Sequence, residues 1–321
     1  MNRRRALWAA PLLVVPLALG GCGDAGAEPG SDDVKVLASF YPLQYVAEQV
    51  GGEHVTVDNL TPPAAEPHDL ELAPAQLRDI GLADVVVYLS GFQPAVDEGV
   101  ETRAPELLVD AADVVTLEAH PGEHADEGDH EHTEGADDGH DHGALDPHFW
   151  LDPTRLAAVG HAVADQLAQA DPENAETYAA NAQALEDRLA ALDADFAEGL
   201  AGCEGATLVT SHAAFGYLAE RYGLEQVGIV QLDPEGEPSP ARVREIGDVV
   251  RDHGVTTIFS ETLVSPKVAE TLAADLGVST ATLDPLEGLS PDAPTDGSGQ
   301  ADYESVMRAN LAALQEGLAC S

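Results

Sequence analysis

The chain has 321 residues, of which 44% are apolar, enough to fill the cores of two domains of about 100–150 residues each. Its 58 Asp and Glu residues outnumber 14 Lys and Arg residues, which gives a formal net charge of −44. Such a chain would be repelled by nucleic-acid phosphates, so the composition excludes a nucleic-acid partner and is compatible with a small cation as ligand.

The first 22 residues have the features of a secretory signal. Arg3, Arg4 and Arg5 precede an apolar stretch that is too short for a membrane span. The stretch ends in Leu19-Gly20-Gly21-Cys22, which resembles the lipobox of bacterial lipoproteins. We expect a signal peptide over 1–22, lipidation of Cys22 and a flexible tether over 23–33. The alternative is an ordinary cleaved signal with a chance cysteine.

After the tether, continuous apolar runs alternate with helical stretches. Strands are predicted at 34–40, 55–60 and 85–90, with helices at 42–50 and 74–82. Because uninterrupted apolar runs are typical of parallel strands covered on both faces, we expect an α/β lobe over 34–171.

A segment inside this lobe, 118–143, is rich in histidine and acidic residues. Its low apolar content predicts a disordered loop, and so long an insert is usually functional. The alternative is a solvated insert without function. The histidines concerned are His120, His124, His130, His132, His140 and His142.

The chain then continues with helices and a second alternating region. A helix is predicted over 153–170, and a long helix over 172–201 is expected to link the lobes. Within a second α/β lobe over 202–321, strands are predicted at 206–210, 226–231, 256–259 and 279–283, and helices at 213–222, 240–253, 266–276 and 303–318. The predicted fold is two parallel-sheet α/β lobes joined by one long helix.

Two cysteines remain after Cys22. Cys203 precedes the first strand of the second lobe, and Cys320 is the penultimate residue. An even number of cysteines outside the cytoplasm indicates a disulfide, which would tie down the C-terminal helix. Two free thiols are the alternative.

Three histidines outside the insert lie in loops that enter helices. His68 and His212 also follow predicted strands, and His148 precedes a helix. Ligands of open parallel sheets bind at the carboxyl ends of the strands, and neutral imidazole is a common zinc ligand. Asp284, at the end of a predicted strand, is the expected fourth ligand; the alternative is a turn-forming Asp-Pro.

The segments around these residues resemble the solute-binding proteins of zinc and manganese ABC importers, the cluster A-I (cluster 9) family. The resemblance runs through nearly all of the mature chain and is carried by Ser39-Phe40-Tyr41-Pro42, Glu66-Pro67-His68-Asp69, Asp146-Pro147-His148-Phe149-Trp150, His212-Ala213-Ala214-Phe215-Gly216-Tyr217, Glu261 with Val264-Ser265-Pro266-Lys267, and Tyr303 to Leu311. It implies two α/β lobes linked by one rigid helix, with a metal site of His68, His148, His212 and Asp284 in the cleft between them, and a membrane permease as partner. The histidine-rich insert resembles the loop of many zinc-binding members, so we expect weaker auxiliary zinc sites there.

His212 occupies a position at which manganese receptors of the family tend to carry Glu. Nitrogen ligands suit zinc better than manganese, so Zn²⁺ is the expected cargo. The expected protein is a monomeric, lipid-anchored zinc receptor outside the cytoplasm or in the periplasm, and not an enzyme. The alternatives are a manganese receptor, a zinc-buffering or adhesion lipoprotein, and a zinc hydrolase.

Overall fold

The computed structural model describes residues 33–119, 145–295, 297, 299–318 and 320. The predicted signal peptide, Cys22, nearly all of the tether and the six histidines of the insert lie outside the described residues. Among the residues that are described, no helix is both long and apolar enough to cross a membrane.

The first lobe is built on a four-stranded parallel sheet. Its elements are β1 (Val34–Ala38), α1 (Tyr41–Gly51), β2 (Val55–Asn59), α2 (Pro74–Ile80), β3 (Val85–Tyr88), α3 (Pro94–Arg103), β4 (Leu108–Asp110) and α4 (Ala111–Val114). The strand order is β2-β1-β3-β4. In this sheet Val36 pairs with both Val57 and Val85.

The second lobe repeats this arrangement. Its elements are β5 (Thr207–Thr210), α7 (Gly216–Tyr222), β6 (Glu225–Gly228), α8 (Pro240–Asp252), β7 (Thr257–Glu261), α9 (Lys267–Leu276), β8 (Ser279–Leu283) and α10 (Tyr303–Gly317). The strand order β6-β5-β7-β8 matches that of the first sheet, and all pairs are parallel. The predicted fold class of two parallel-sheet α/β lobes is therefore confirmed.

Two long helices lie along the chain between the strands of the first lobe and those of the second. α5 (Pro153–Ala170) begins at Asp152, whose carboxylate accepts a hydrogen bond from the Thr154 backbone N–H at 2.8 Å. After a short 3₁₀ turn, α6 (Ala175–Gly199) runs for 25 residues, which is about 37 Å at about 1.5 Å per residue. Leu185, Leu189, Leu192 and Phe196 recur at helical spacing along it and form a fully buried apolar stripe.

The hydrophobic core continues from one lobe into the other through α6. One cluster of buried side chains contains Val46 from the first lobe, Leu189 from α6 and Phe215 from the second lobe. A Cys203–Cys320 disulfide, closing 117 residues of chain, fixes the end of the second lobe as expected. The lobes are therefore parts of one packed body over the described residues.

The sequence did not indicate α3 and β4. α3 has the sequence PAVDEGVETR, which carries little apolar periodicity, and only Val96, Gly99 and Val100 are buried. β4 is only 3 residues long. Val96 and Val100 of α3 pack against side chains of β1 and β3, and β4 pairs with β3 at the edge of the sheet. Both elements are stabilised by these tertiary contacts rather than by local preference, which is why the apolar pattern of the sequence did not reveal them.

Candidate metal site

Four side chains from loops of both lobes meet in one cluster. His68 lies in the loop after β2, and His148 immediately precedes the 3₁₀ helix Phe149–Leu151. His212 follows β5, and Glu287 follows β8. One ligating atom of each of these four residues lies within 4.8 Å of every other. The carboxyl ends of parallel strands thus bring together residues up to 219 positions apart in the chain.

The Glu287 carboxylate is the centre of the cluster. Its Oε1 lies 3.2 Å from Nε2 of His68, 3.1 Å from Nε2 of His148 and 3.2 Å from Nε2 of His212. The two Nε2 atoms of His148 and His212 are 3.4 Å apart. All three imidazoles therefore aim the same ring nitrogen at one point.

A buried carboxylate orients each of two rings. Asp146 Oδ1 lies 2.7 Å from Nδ1 of His148 and also accepts a hydrogen bond from its backbone N–H at 2.9 Å. Glu261 contacts Nδ1 of His212 and accepts from its backbone N–H at 2.9 Å. Because the carboxylates accept from Nδ1–H, the Nε2 lone pairs are left for a metal ion, an arrangement common around protein metal ligands.

His68 is held less tightly than the other two. Its backbone N–H donates to Glu66 Oε1 at 2.9 Å, and its ring packs edge-on against Phe92 with the centroids 4.7 Å apart. The His68 side chain is 15% exposed, whereas those of His148 and His212 are fully buried. The site therefore opens toward solvent on the His68 side.

The structure places Glu287, rather than the expected Asp284, with the three histidines. The Asp284 carboxylate accepts from the Leu286 N–H at 2.8 Å, closing a turn, and its backbone is held by Asn310 through bonds of 2.9 and 2.7 Å. Leu286 then adopts a left-handed φ of 58°, after which Glu287 enters the cluster. Asp284 thus acts as the turn-forming residue that was the alternative. Glu287 had no sequence signal beyond its position four residues after β8.

Burial and neighbouring charges act in opposite directions on the ionisable groups. Burial favours neutral imidazole, but Glu261 and Glu287 outweigh it and raise the pKa of His212 to about 10. Asp146 similarly outweighs burial and raises the pKa of His148. Burial also opposes ionisation of Glu287, yet its histidine partners hold its pKa well below the usual range. These shifts favour protonated His148 and His212 in the metal-free site, and because zinc binds neutral imidazole, metal binding would release protons.

Aromatic rings exclude water from one side of the cluster. Trp150 is fully buried, with its ring centroid 5.2 Å from that of His148, and Phe92 lies 5.6 Å from Trp150. The Trp150 indole N–H donates to the Pro285 carbonyl at 2.8 Å. This bond joins the loop that follows His148 to the loop that carries Glu287, so the two lobes share one support for the site.

Residues 36–317 match the model of a protein family described as zinc-uptake complex component A, periplasmic. The chain belongs to this family. The resemblance inferred from the sequence motifs is thereby confirmed. Membership of this family of zinc-uptake components also confirms the prediction that the protein is not an enzyme.

Two relatives of this zinc-uptake family illustrate the similarity. The chain is 36% identical to the high-affinity zinc uptake system protein ZnuA of Bacillus subtilis over 310 residues, covering 94% of each chain. It is 37% identical to the zinc-binding lipoprotein AdcA of Streptococcus pneumoniae serotype 4 over 291 residues, covering 88% of this chain but 55% of AdcA. The chain thus spans about half the length of AdcA.

Solved structures agree with the observed fold. A structure of Zn(II)-bound AdcA from Streptococcus pneumoniae superposes with a TM-score of 0.71 at 32% identity, over 89% of this chain and 58% of that one. The laminin-binding protein Lmb of Streptococcus agalactiae, described as having adhesin and metal-transporting activity, gives a TM-score of 0.73 at 29% identity, over 89% and 99%.

Proposed function

We propose that the protein is an extracytoplasmic receptor that captures Zn²⁺ through His68, His148, His212 and Glu287 and delivers it to the membrane permease of an ABC importer. Zinc uptake by the family, a zinc-bound relative of the same fold and the convergence of the four side chains support this. Asp284, the ligand expected from the sequence, is replaced in the proposal by Glu287.

The spacing of the donor atoms carries the proposal. Zinc bonds of about 2.0–2.1 Å in a tetrahedron require donor atoms separated by about 3.3 Å. The separations between Glu287 Oε1 and the three Nε2 atoms are 3.1–3.2 Å, and His148 and His212 are 3.4 Å apart. Four of the six separations thus match a tetrahedral zinc site. The two between His68 Nε2 and the other imidazole nitrogens lie within 4.8 Å, so zinc binding would require at most a modest shift of His68.

The donor set favours zinc over manganese. Three imidazole nitrogens and one carboxylate match the preference of zinc, whereas manganese favours oxygen-rich sets with more ligands. Four protein ligands also fill a tetrahedral shell and leave no open position for catalysis, consistent with a cargo ion that is bound, transported and released unchanged.

The proposal includes the attachment of the receptor to the membrane and the role of the histidine-rich insert. Two or more acyl chains on Cys22 would anchor the receptor stably at the membrane surface, next to a permease. The six histidines of 118–143 would add weaker zinc sites close to the cleft, and each would cost ordering entropy on binding. A monomer suffices, because all four ligands come from one chain.

Calorimetry with Zn²⁺ and Mn²⁺ on the chain from residue 23 onward tests the proposal. His212→Ala should weaken tight zinc binding by at least about 100-fold, since it removes a ligand and leaves the buried Glu261 carboxylate without its imidazole partner. Deletion of 119–142 should preserve the tight site and remove only weak ones. His161→Ala, which removes an exposed histidine paired with Glu186 on the linking helices, is the matched control. Tight zinc binding that survives His212→Ala would overturn the assignment.

Adhesion is a second candidate, favoured by the likeness to Lmb. A solid-phase assay with immobilised laminin separates the two candidates. Saturable laminin binding that persists in His212→Ala would indicate an adhesive surface independent of the metal site, whereas a receptor used only for uptake would show none.

A further inference from the structure

One hydroxyl group of the second lobe holds two segments of the first lobe. Tyr217 Oη accepts a hydrogen bond from the Glu118 backbone N–H at 2.8 Å and donates one to the Asp146 carbonyl at 2.7 Å. Glu118 and Asp146 are themselves joined by a backbone bond of 2.8 Å, beside the bridge between Ala119 and Leu145. The described ends of the chain on either side of 120–144 therefore meet at Tyr217.

The same contact leads directly to the metal site. The Asp146 carbonyl is bound by Tyr217, and the Asp146 carboxylate holds both the backbone N–H and Nδ1 of His148. Tyr217 follows His212 by five positions on the segment that enters α7. The support of His148 is thus attached to the stretch of chain that carries His212, although these two histidines belong to different lobes.

Close packing restricts movement at this contact. A Cβ atom placed on Gly216 would lie 2.7 Å from Asp146 Oδ2, so the Asp146 carboxylate fits against the backbone at the start of α7 only because Gly216 has no side chain. The Arg155 guanidinium lies over the Tyr217 ring at 4.6 Å and donates to Glu118 Oε1 at 3.0 Å. Tyr217 is only 2% exposed, so water does not replace its hydroxyl bonds.

We propose that Tyr217 is a positioning residue for zinc: by fixing Asp146 across the two lobes, its hydroxyl sets the separation of the His148 and His212 nitrogens. This inference rests on the proposed zinc site. Groups that orient ligands through a second layer of hydrogen bonds contribute about 10- to 100-fold to metal affinity. Loss of the Tyr217 hydroxyl therefore acts on the site although Tyr217 contributes no ligand.

The test compares Tyr217→Phe with Tyr222→Phe on the full mature chain. Tyr222 lies on the same helix, and its hydroxyl donates to Asp193 at 2.9 Å, away from the cluster. Tyr217→Phe should weaken zinc binding about tenfold in competition with a chelator, mainly through faster dissociation, and should alter the visible spectrum of bound Co²⁺. Tyr222→Phe should leave the zinc affinity and the Co²⁺ spectrum unchanged.

Gly216→Ala should displace Asp146 through its carboxylate rather than through its carbonyl. It gives a second way to disturb the support of His148 if Tyr217→Phe folds poorly. Wild-type affinity and dissociation rate in Tyr217→Phe, or equal weakening in Tyr222→Phe, would overturn the positioning role. His148→Ala distinguishes failure of the proposed zinc site from failure of the positioning role alone. If His148→Ala binds zinc as tightly as the wild type, the proposed site itself is wrong; if it does not and Tyr217→Phe has no effect, only the positioning role is wrong.

Discussion

The difference between Asp284 and Glu287 shows how local backbone geometry selects a candidate ligand. Both carboxylates are buried near the carboxyl end of β8, and burial raises the pKa of Asp284 to about 6, with added repulsion from Glu287 and Glu261. Asp284 is engaged by the turn, whereas Glu287 contacts three histidines. The two residues thus make a matched pair for mutation.

Glu287→Gln should weaken zinc binding by at least about tenfold, because the neutral amide loses the charge that attracts the ion and balances the imidazoles. Asp284→Asn keeps an acceptor for the Leu286 N–H and should change the affinity by less than about twofold. Chelator competition, with melting temperatures measured on both metal-free variants, checks the pair. The reverse order of effects would restore Asp284 as the ligand.

At the scale of elements, α6 is attached to α7 of the second lobe by a bidentate ion pair. Arg221 donates to the two carboxylate oxygens of Asp193 at 2.5 and 2.8 Å, and their side chains are 31% and 22% exposed. Arg221 holds the pKa of Asp193 below its ordinary value, although burial acts in the opposite direction. The pair therefore makes stability depend on pH.

Arg221→Met should lower the free energy of unfolding by about 1–2 kcal/mol at neutral pH. Because the folded-state pKa of Asp193 is lowered, this contribution is complete above the unfolded value of about 3.9 and disappears as pH falls through the folded value. Urea unfolding of both proteins between pH 7 and pH 3 should show the two curves converging below about pH 4. A gap that stays constant to pH 3 would contradict the ion-pair account.

Arg308→Met is the matched control for this measurement. Arg308 of α10 pairs with Asp195, which lies on α6 as Asp193 does. Both side chains of this pair are about half exposed, at 47% and 50%. Exposed pairs are screened by water, so this variant should lose less than about 0.5 kcal/mol at neutral pH.

The disulfide should stabilise the second lobe without affecting the site. It closes 117 residues of chain, for which chain entropy predicts about 4–5 kcal/mol. Cys203 precedes β5, at the end of the sheet opposite to the loop that carries His212. The Cys203→Ser, Cys320→Ser double variant should unfold at a lower urea concentration while keeping its zinc affinity. An equally large loss of zinc affinity would show that the two ends of the sheet are coupled.

For the whole molecule, a hydrophobic core that continues through α6 limits relative motion of the lobes. Two lobes can close about a hinge only where few packed side chains join them across the hinge. Here buried side chains of both lobes and of α6 belong to one cluster, and the Trp150–Pro285 bond crosses the cleft. Zinc binding should therefore move side chains and loops rather than whole lobes.

Small-angle X-ray scattering of the zinc-free and zinc-loaded protein should show radii of gyration that agree within about 1 Å. Scattering from the variant lacking 119–142 provides the control, because the insert cannot contribute to any change in that protein. A rotation of the lobes by tens of degrees, visible as a clear contraction on loading, would contradict the rigid connection.

Much of this organisation follows from local sequence. Apolar runs predict both sheets, the stripe of Leu185, Leu189 and Leu192 predicts the buried face of α6, and the cysteine pair indicates the disulfide. The three cleft histidines could be selected because each lies next to a predicted element, in a motif that resembles a known family. These features depend on short stretches of chain, so the sequence alone is sufficient to reveal them.

Only the tertiary structure identified Glu287 and the residues that orient the ligands. A carboxylate reaches the cluster according to the direction the backbone takes after its strand, and at β8 this depends on the Asp284 turn and on Leu286 in a left-handed conformation. Glu261 reaches His212 from 49 positions away, and Tyr217 binds the carbonyl of Asp146 from 71 positions away, although Asp146 itself lies only two residues before His148. The spacing of residues along the chain does not reveal such long-range contacts, because they form only when distant segments pack together in the folded protein.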